Sequence, residues 1–361
     1  MPEQGLRHSI DFVRPSHKMI ETDDRPAFTG PKVRWGVLGA AKIALNAVIP
    51  AMQHSECSTV AAIASRELAR ARSAARILGI PRFYDSYQEL LADREVEAVY
   101  IPLPNHLHVD WAIAAAEAGK HVLVEKPIGL NADDAERLIR VRDRTGKMIQ
   151  EAFMIRSHPQ WLTVAEMVSD GRIGDLRSVM GHFSYFNDAP SNVRNVAEFG
   201  GGGLLDIGCY LVHVSRWMAD RQPIRVVAAI ERDVRFGVDR LTSLILDFGT
   251  LQAIGTCSMQ AVPFQRVEIV GTRRRVEIEI PFNPPPTRAA RFIVDDGSGG
   301  PGGGTQMQVE SADQYTRQGD AFSRAIRDGA AQPLPLEDSV LNMRVIDALF
   351  RSAETGSWER P

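Results

Sequence analysis

Cysteine is scarce in this chain. Three residues in 361, Cys57, Cys209 and Cys257, odd in number and far apart, build neither a disulfide framework nor a zinc ribbon, and such usage fits a reducing compartment. No run approaches the ~20 consecutive apolar residues of a membrane span. The polar, proline-bearing stretch from Met1 to Gly30 has neither the apolar core of a signal peptide nor a twin-arginine pair, so a cytoplasmic location is expected. Charge of one sign is missing too: 42 Lys and Arg against 45 Asp and Glu leave a formal net charge of −3, which excludes an extended nucleic-acid or anionic-membrane surface. Internal repeats are absent, and no metal site is expected. The partner is expected to be a small molecule.

What is present points to two domains. The chain is longer than one ordinary core, and its 44% hydrophobic and 24% charged residues are those of a soluble globular protein. Strand candidates at Val33–Leu38, Thr59–Ala64, Arg82–Tyr84, Ala98–Pro102, His121–Val124 and Met148–Ala152 alternate with helical patterns. The helices follow Gly39 through Met52, then cover Glu67–Leu78, Ser86–Ala92, Trp111–Ala118 and Asn131–Arg144. Short connections in that alternation predict an α/β domain with a doubly wound parallel sheet. Beyond Met154 the pattern changes. A helix over His158–Asp170 precedes alternating strands at Arg177–Phe186, Arg225–Arg232, Thr242–Phe248, Leu251–Ser258, Arg266–Val270 and Arg275–Ile280. They predict an α+β domain with a large, open, mostly antiparallel sheet, one face covered and one free to pack on another copy. The glycine-rich Gly297–Gly304 reads as a flexible loop, and Ala312–Asp328 and Leu336–Thr355 as closing helices packed against the two domains. The expected division is an arm over residues 1–31, disordered or wrapped on a neighbour, a dinucleotide-type domain over 32–152 and a second domain over 153–361.

Two stretches carry chemistry. His121–Pro127, HVLVEKP, ends a strand in a carboxylate, an amine and an imino acid; a lysine at the carboxyl end of a strand in an open α/β sheet points into the ligand crevice. Taken alone, the heptad reads more readily as an exposed lysine after a core strand, and the segments around it shift that balance. Upstream, Val33–Leu38 runs into Gly39-Ala40-Ala41-Lys42-Ile43-Ala44, a strand, glycine turn and helix start whose free N–H groups converge on a phosphate. Ala41 and Ala44 occupy the second and third small positions of that fingerprint, so an ordinary tight turn stays open. The next strand ends in Ser65-Arg66, which suit a ribose 2′-phosphate better than a 2′-hydroxyl; the other reading is that Arg66 merely opens a surface helix. The second stretch is GGGGLLDIGCYLVH, residues 200–213, where Asp206, Tyr210 and His213 fall at i, i+4 and i+7 on one face of an otherwise apolar helix.

Gly39-Ala40-Ala41, Pro104-Asn105-His106-Leu107-His108, Glu125-Lys126-Pro127 and GGGGLLDIGCY together resemble the glucose-fructose oxidoreductase / inositol dehydrogenase (Gfo/Idh/MocA) family over Lys32–Glu354. The resemblance implies a Rossmann domain followed by an α/β domain used for oligomerisation, hence a homodimer or homotetramer through the second sheet. It also implies an NAD(P)-dependent enzyme acting on a carbinol of a sugar, cyclitol or diol. The family's EKP lysine matches Lys126 and its helix aspartate matches Asp206. Tyr210 stands where inositol dehydrogenases carry histidine, as in the sugar and dihydrodiol dehydrogenase branch, which shifts the expected substrate to an aldose or diol. Lys126 beside Tyr210 would lower the phenol pKa and hold the substrate oxygen, with Asp206 orienting the lysine. The resemblance implies cofactor contacts from Gly39 to Ile43, from Ser65 and Arg66, from Leu103, Pro104, Asn105 and His108, and from Glu125 and Lys126, with a Lys126–Pro127 bond that is often cis. Arg156 and His158 are candidates for the substrate side; Asn192 and Arg194 read equally as substrate contacts or surface loop residues, and His213 equally as a participant or a satisfied neighbour. The expected cofactor is NADP, with NAD open. Two other readings stand: a tightly bound cofactor recycled internally, as in sugar–sugar oxidoreductases, epimerases or glycosidases, and a non-catalytic NADP-sensing regulator.

Overall fold

The short apolar runs from Val33 onward are flanked by glycine turns and capped helices, and they pair side by side in one sheet. A computed structural model of the chain describes residues 17–20, 28–300, 302–329 and 332–361. Most of the expected arm lies outside the described residues. Within the arm, β1 (His17–Ile20) is followed by β2 (Val33–Leu38), α1 (Ile49–Gln53), β3 (Ser58–Ala64), α2 (Leu68–Leu78), β4 (Arg82–Tyr84), α3 (Tyr87–Ala92) and β5 (Ala98–Ile101). The same alternation continues through α4 (His108–Glu117), β6 (His121–Val124), α5 (Ala132–Thr145) and β7 (Ile149–Glu151). The sheet order is β4-β3-β2-β5-β6-β7, with every pair parallel. Strand order reverses between β2 and β5, which opens a crevice at the carboxyl ends of those strands. Local chemistry sets the helix ends: Asn131 caps α5 by accepting the Asp134 N–H at 2.9 Å, and Gly146 closes it at φ 64°.

The second domain runs through α6 (Pro159–Ser169), β8 (Leu176–Phe186), α7 (Cys209–Ala219), β9 (Arg225–Arg232), β10 (Asp239–Asp247), β11 (Gln252–Ser258), β12 (Gln260–Gly271) and β13 (Arg275–Ile278). It ends with β14 (Ala290–Asp295), β15 (Thr305–Val309), α8 (Gln314–Asp328) and α9 (Leu336–Thr355). The nine-stranded sheet has the order β1-β15-β14-β13-β12-β8-β11-β10-β9 and is antiparallel except at β8·β11 and β1·β15. Three strands, β1, β14 and β15, were not expected; β1 corrects the reading of the arm, since His17–Ile20 pairs with β15 of the same chain. A proline-rich stretch precedes β14 and the glycine loop separates it from β15, so each of these two lacks the short flanking turn that betrays a hairpin. β12 starts six residues earlier than its periodicity indicates, because the register shifts between Gln260 and Phe264, around Pro263. Among the described residues no helix is long and apolar enough to cross a membrane, and no group of three or more His, Cys, Asp or Glu could hold a metal ion.

The two domains share their cores. One face of the parallel sheet packs Trp35, Ile63 and Tyr100 under α8, a helix from the far end of the chain. Phe322 of α8 is fully buried with its ring 5.5 Å from that of Trp35, and Trp35 Nε1 donates to Ser323 Oγ at 3.2 Å. The other face merges with α7, α9 and the second sheet in one continuous cluster. Phe322→Ala leaves a cavity in that layer, and about 3–5 kcal/mol of stability is expected to be lost; urea unfolding followed by circular dichroism measures it.

Candidate active site

The carboxyl ends of β2, β3, β5 and β6 and the facing ends of β8 and β12 enclose a cleft of about 1370 Å³. Gly39, Ala40, Ala41, Lys42, Ile43, Ser65, Arg66, Leu103, Pro104, Asn105, His108, Glu125 and Lys126 all line it, as do Asp206, Tyr210, Asn192 and Arg194. Gly39 takes φ 112°, and a Cβ there would stand 2.9 Å from Leu103 Cδ2, so the turn tolerates only glycine. The helix after it begins with a wide turn, Ala44–Val48, in which the Ile49 N–H reaches back to Ala44 O. At the mouth, Arg66 stands beside the Tyr87 phenol, and Arg70, which sequence reasoning missed, reaches Ala40 O at 3.4 Å. His108 is a strut: its ring nitrogens lie 2.7 Å from Pro127 O and from Leu103 O, and burial pushes its pKa down to about 4. Asn105 reaches across the domain boundary, donating to Gly200 O at 2.8 Å.

Lys126 projects from the end of β6, and the Lys126–Pro127 peptide is cis. Its ammonium donates to Asp206 Oδ1 at 3.2 Å and to the Asp206 carbonyl at 2.5 Å. Asp206 lies in a second wide turn, Leu204–Gly208, at the head of α7. Its Oδ2 accepts from the Tyr185 hydroxyl at 2.5 Å and pairs with Arg194 Nε at 2.9 Å. Burial opposes the Asp206 charge, but Lys126, Arg194 and Tyr185 outweigh it and hold the carboxyl far below the usual range. For Lys126 the balance is similar: burial disfavours the ammonium, and Asp206 more than compensates, leaving its pKa above that of a free lysine. Glu125 accepts from the Tyr100 hydroxyl at 2.7 Å, and burial raises its pKa. Tyr185 carried no motif. Only the strand pairing reveals that this residue of β8 faces the Asp206 turn.

Four sequence expectations are corrected. Tyr210 is 4% exposed and lies under Lys126 ring-first, with the ammonium 5.1 Å from the ring centroid and the hydroxyl 3.3 Å from Met154 Sδ. Burial therefore raises the phenol pKa well above its ordinary value, opposite to the lowering expected from Lys126. His213 does not line the cleft: Phe153 stacks on it at 4.2 Å, and burial pushes its pKa down to about 3. Arg156 lies outside the lining too, its guanidinium 4.0 Å above the Trp217 ring. His158 caps α6 from a buried position by accepting the Gln160 N–H at 3.1 Å. Helical spacing counts residues along one face and cannot register Phe153, which comes from another segment and contacts both the Tyr210 and His213 rings.

Beneath the cleft, Arg216 Nη2 pairs with Asp338 at 2.8 Å, and Glu151, 1% exposed, accepts the Ile128 N–H at 2.8 Å. Burial pushes the Glu151 carboxyl up to about 8 from an ordinary 4.5. The folded state thus holds this proton more tightly than the unfolded chain, and the stabilisation present below pH 4.5 is lost as pH rises through about 8. Glu151→Gln is expected to flatten the fall of Tm between about pH 4.5 and 8. Thermal unfolding as a function of pH checks this, and an unchanged slope would exclude Glu151 as its cause.

A glycine turn at the switch point of a doubly wound sheet, facing a lysine clamped by a carboxylate, marks the chain as a Rossmann-fold oxidoreductase. It belongs to the GFO/IDH/MocA family. Residues 33–153 match the oxidoreductase family with NAD-binding Rossmann fold, and residues 161–277 match the GFO/IDH/MocA C-terminal domain. The chain is 49% identical over 329 residues to an uncharacterized oxidoreductase of Rhizobium meliloti, covering 91% of this chain and 98% of that one. It is 39% identical to D-xylose 1-dehydrogenase (NADP(+)) 2 of Haloferax volcanii, over 90% and 98% of the two chains. Among solved structures, the 3-ketoreductase KijD10 from Actinomadura kijaniata in complex with NADP and TDP-benzene superposes with a TM-score of 0.82 at 31% identity, covering 89% of this chain and 98% of that one.

Proposed function

We propose that this protein is an NADP-preferring oxidoreductase that interconverts a carbinol and a carbonyl on a sugar-like substrate, an aldose such as xylose or glucose or a related diol. The observation that carries the reading is the Lys126 ammonium, clamped by Asp206 in the cleft that holds the Gly39 turn. The likeness to an NADP-linked xylose dehydrogenase and to a ketoreductase solved with NADP supports the cofactor and the substrate class. The residues fit that cofactor. The bare Gly39 turn leaves room for a pyrophosphate, and Arg66 and Arg70 at the mouth suit a 2′-phosphate. When bound, NADP supplies or accepts the hydride.

The chain's own groups handle the proton and the geometry. Lys126, which its raised pKa keeps charged, hydrogen-bonds the substrate oxygen and gives it a proton when a carbonyl is reduced, because the alkoxide that hydride addition forms is the stronger base. Tyr210, kept neutral by burial, is the second donor to that oxygen, with its hydroxyl turning from Met154 Sδ when substrate enters. Asp206 fixes the ammonium, and Arg194 and Asn192 on the facing loop hold substrate hydroxyls. A homodimer or homotetramer through the second sheet is supported by Met180 and Ile254, register partners exposed on β8 and β11.

Lys126→Met is expected to abolish turnover of aldoses and diols, followed at the reduced-nicotinamide absorbance band, while NADP affinity stays within roughly threefold. Retained turnover would remove Lys126 from the reaction. Arg66→Ala is expected to weaken NADP by roughly tenfold and leave NAD nearly unchanged; equal losses for both cofactors in a fluorescence titration would contradict the phosphate-reading role.

A further inference from the structure

The glycine run ahead of Asp206 is shaped around a carboxylate to which the proposed reaction gives no part. Asp239 opens β10, is 1% exposed, and through Oδ2 accepts the Leu204 N–H at 2.6 Å and the Thr242 hydroxyl at 3.1 Å. Gly202 takes φ 115°, and a Cβ on it would fall 1.9 Å from Asp239 Oδ1, so the backbone passes over this carboxylate only as glycine. Leu204 is the first residue of the wide turn that bears Asp206, and its N–H is among the donors that a helix start leaves without a backbone partner.

We propose that Asp239 is a positioning residue for the reaction: by holding the Leu204 N–H it sets where the turn begins, and so where Asp206 meets Lys126. The inference rests on the assignment of Lys126 to proton transfer. An ionised acceptor at a helix start binds a backbone N–H more strongly than a neutral one. Burial opposes that ionised form and pushes the Asp239 carboxyl up to about 6, while the Leu204 N–H, the Thr242 hydroxyl and Arg232 favour it. The ionisable groups around it come from three strands. Arg232 is its register partner on β9, the Cys257 thiol on β11 is kept neutral by burial, and Arg240 on its own strand turns to Glu231 at 3.1 Å. As pH falls through about 6 the carboxylate takes a proton, its hold on Leu204 slackens, and turnover drops.

The test measures kcat, KM and NADP affinity for wild type, Asp239→Asn and Thr242→Val between about pH 5 and 9. Asp239→Asn is expected to lower kcat roughly tenfold or more, to leave NADP affinity within about twofold, and to erase the acid limb of the kcat profile. Thr242→Val preserves shape but removes a group that favours ionisation, so its acid limb moves to higher pH; this variant decides alone if Asp239→Asn does not fold. A wild-type kcat and acid limb in Asp239→Asn, or a lowered Tm with no change in either, overturns the proposal and leaves the role of Lys126 intact. Wild-type protein that turns over no sugar or diol sinks the functional reading instead. In that case protection of the Leu204 amide from hydrogen exchange decides: loss on acidification through about pH 6 in wild type but not in Asp239→Asn supports Asp239, and no difference overturns it.

Discussion

The buried carboxylate of Asp206 is the point on which the cleft is assembled. Taking such a charge out of water is costly, and the cost is tolerated only where donors converge on both oxygens. Here Lys126 comes from the end of β6, Tyr185 from β8 and Arg194 from the loop ahead of the glycine run. A cluster of this kind contributes little net stability compared with an apolar core of the same volume. What it provides is an ammonium that stays charged and cannot swing out of the cleft. Oδ2 is shared by Tyr185 and Arg194, which leaves Oδ1 and the backbone carbonyl to Lys126.

Both glycine-led helices begin with a wide turn rather than a regular one. Ala44–Val48 follows the Gly39 turn, and Leu204–Gly208 follows the run from Gly200 to Gly203. Turns of this type interrupt the regular backbone ladder and recur at functional sites. In the second case the Asp206 carbonyl is available to the Lys126 ammonium, so the irregularity belongs to the clamp. The glycines ahead of it are spent on close approach: Gly201 passes the Arg194 and Val196 carbonyls, and Gly202 passes Asp239.

The domains are not beads on a string. The chain returns through α8 to cover the parallel sheet, and α9 closes the layer that holds Arg216, Asp338 and Glu151 under the cleft. Across the mouth, Asn105 holds Gly200 O and His106 stacks on Phe199 at 4.3 Å. Loops from the two domains thus touch at the cleft, which ties the loop expected to contact the cofactor to the run that places Asp206.

Much of this was readable in the residues themselves. Period-two and period-3.6 patterning located most strands and helices, because burial on one face imposes those periods locally. The glycine turn at Gly39 and the lysine closing HVLVEKP were legible because each follows directly from a strand end, a local feature. Other features were decided by distant segments. Tyr185 and Asp239 reach the Asp206 turn only when β8 and β10 pair into the sheet, and no local period records which face of a strand meets a helix head. His213, Arg156 and His158 sit near the motifs in sequence, yet Phe153, Trp217 and the head of α6 claim them. The phenol of Tyr210 likewise follows its packing: spacing brings a tyrosine to the lysine, but the depth of burial determines that it stays protonated. Residue types and their intervals determined which groups were available, and the tertiary structure decided which of them share one low-dielectric space, since desolvation and contact arise only when distant segments close over one another.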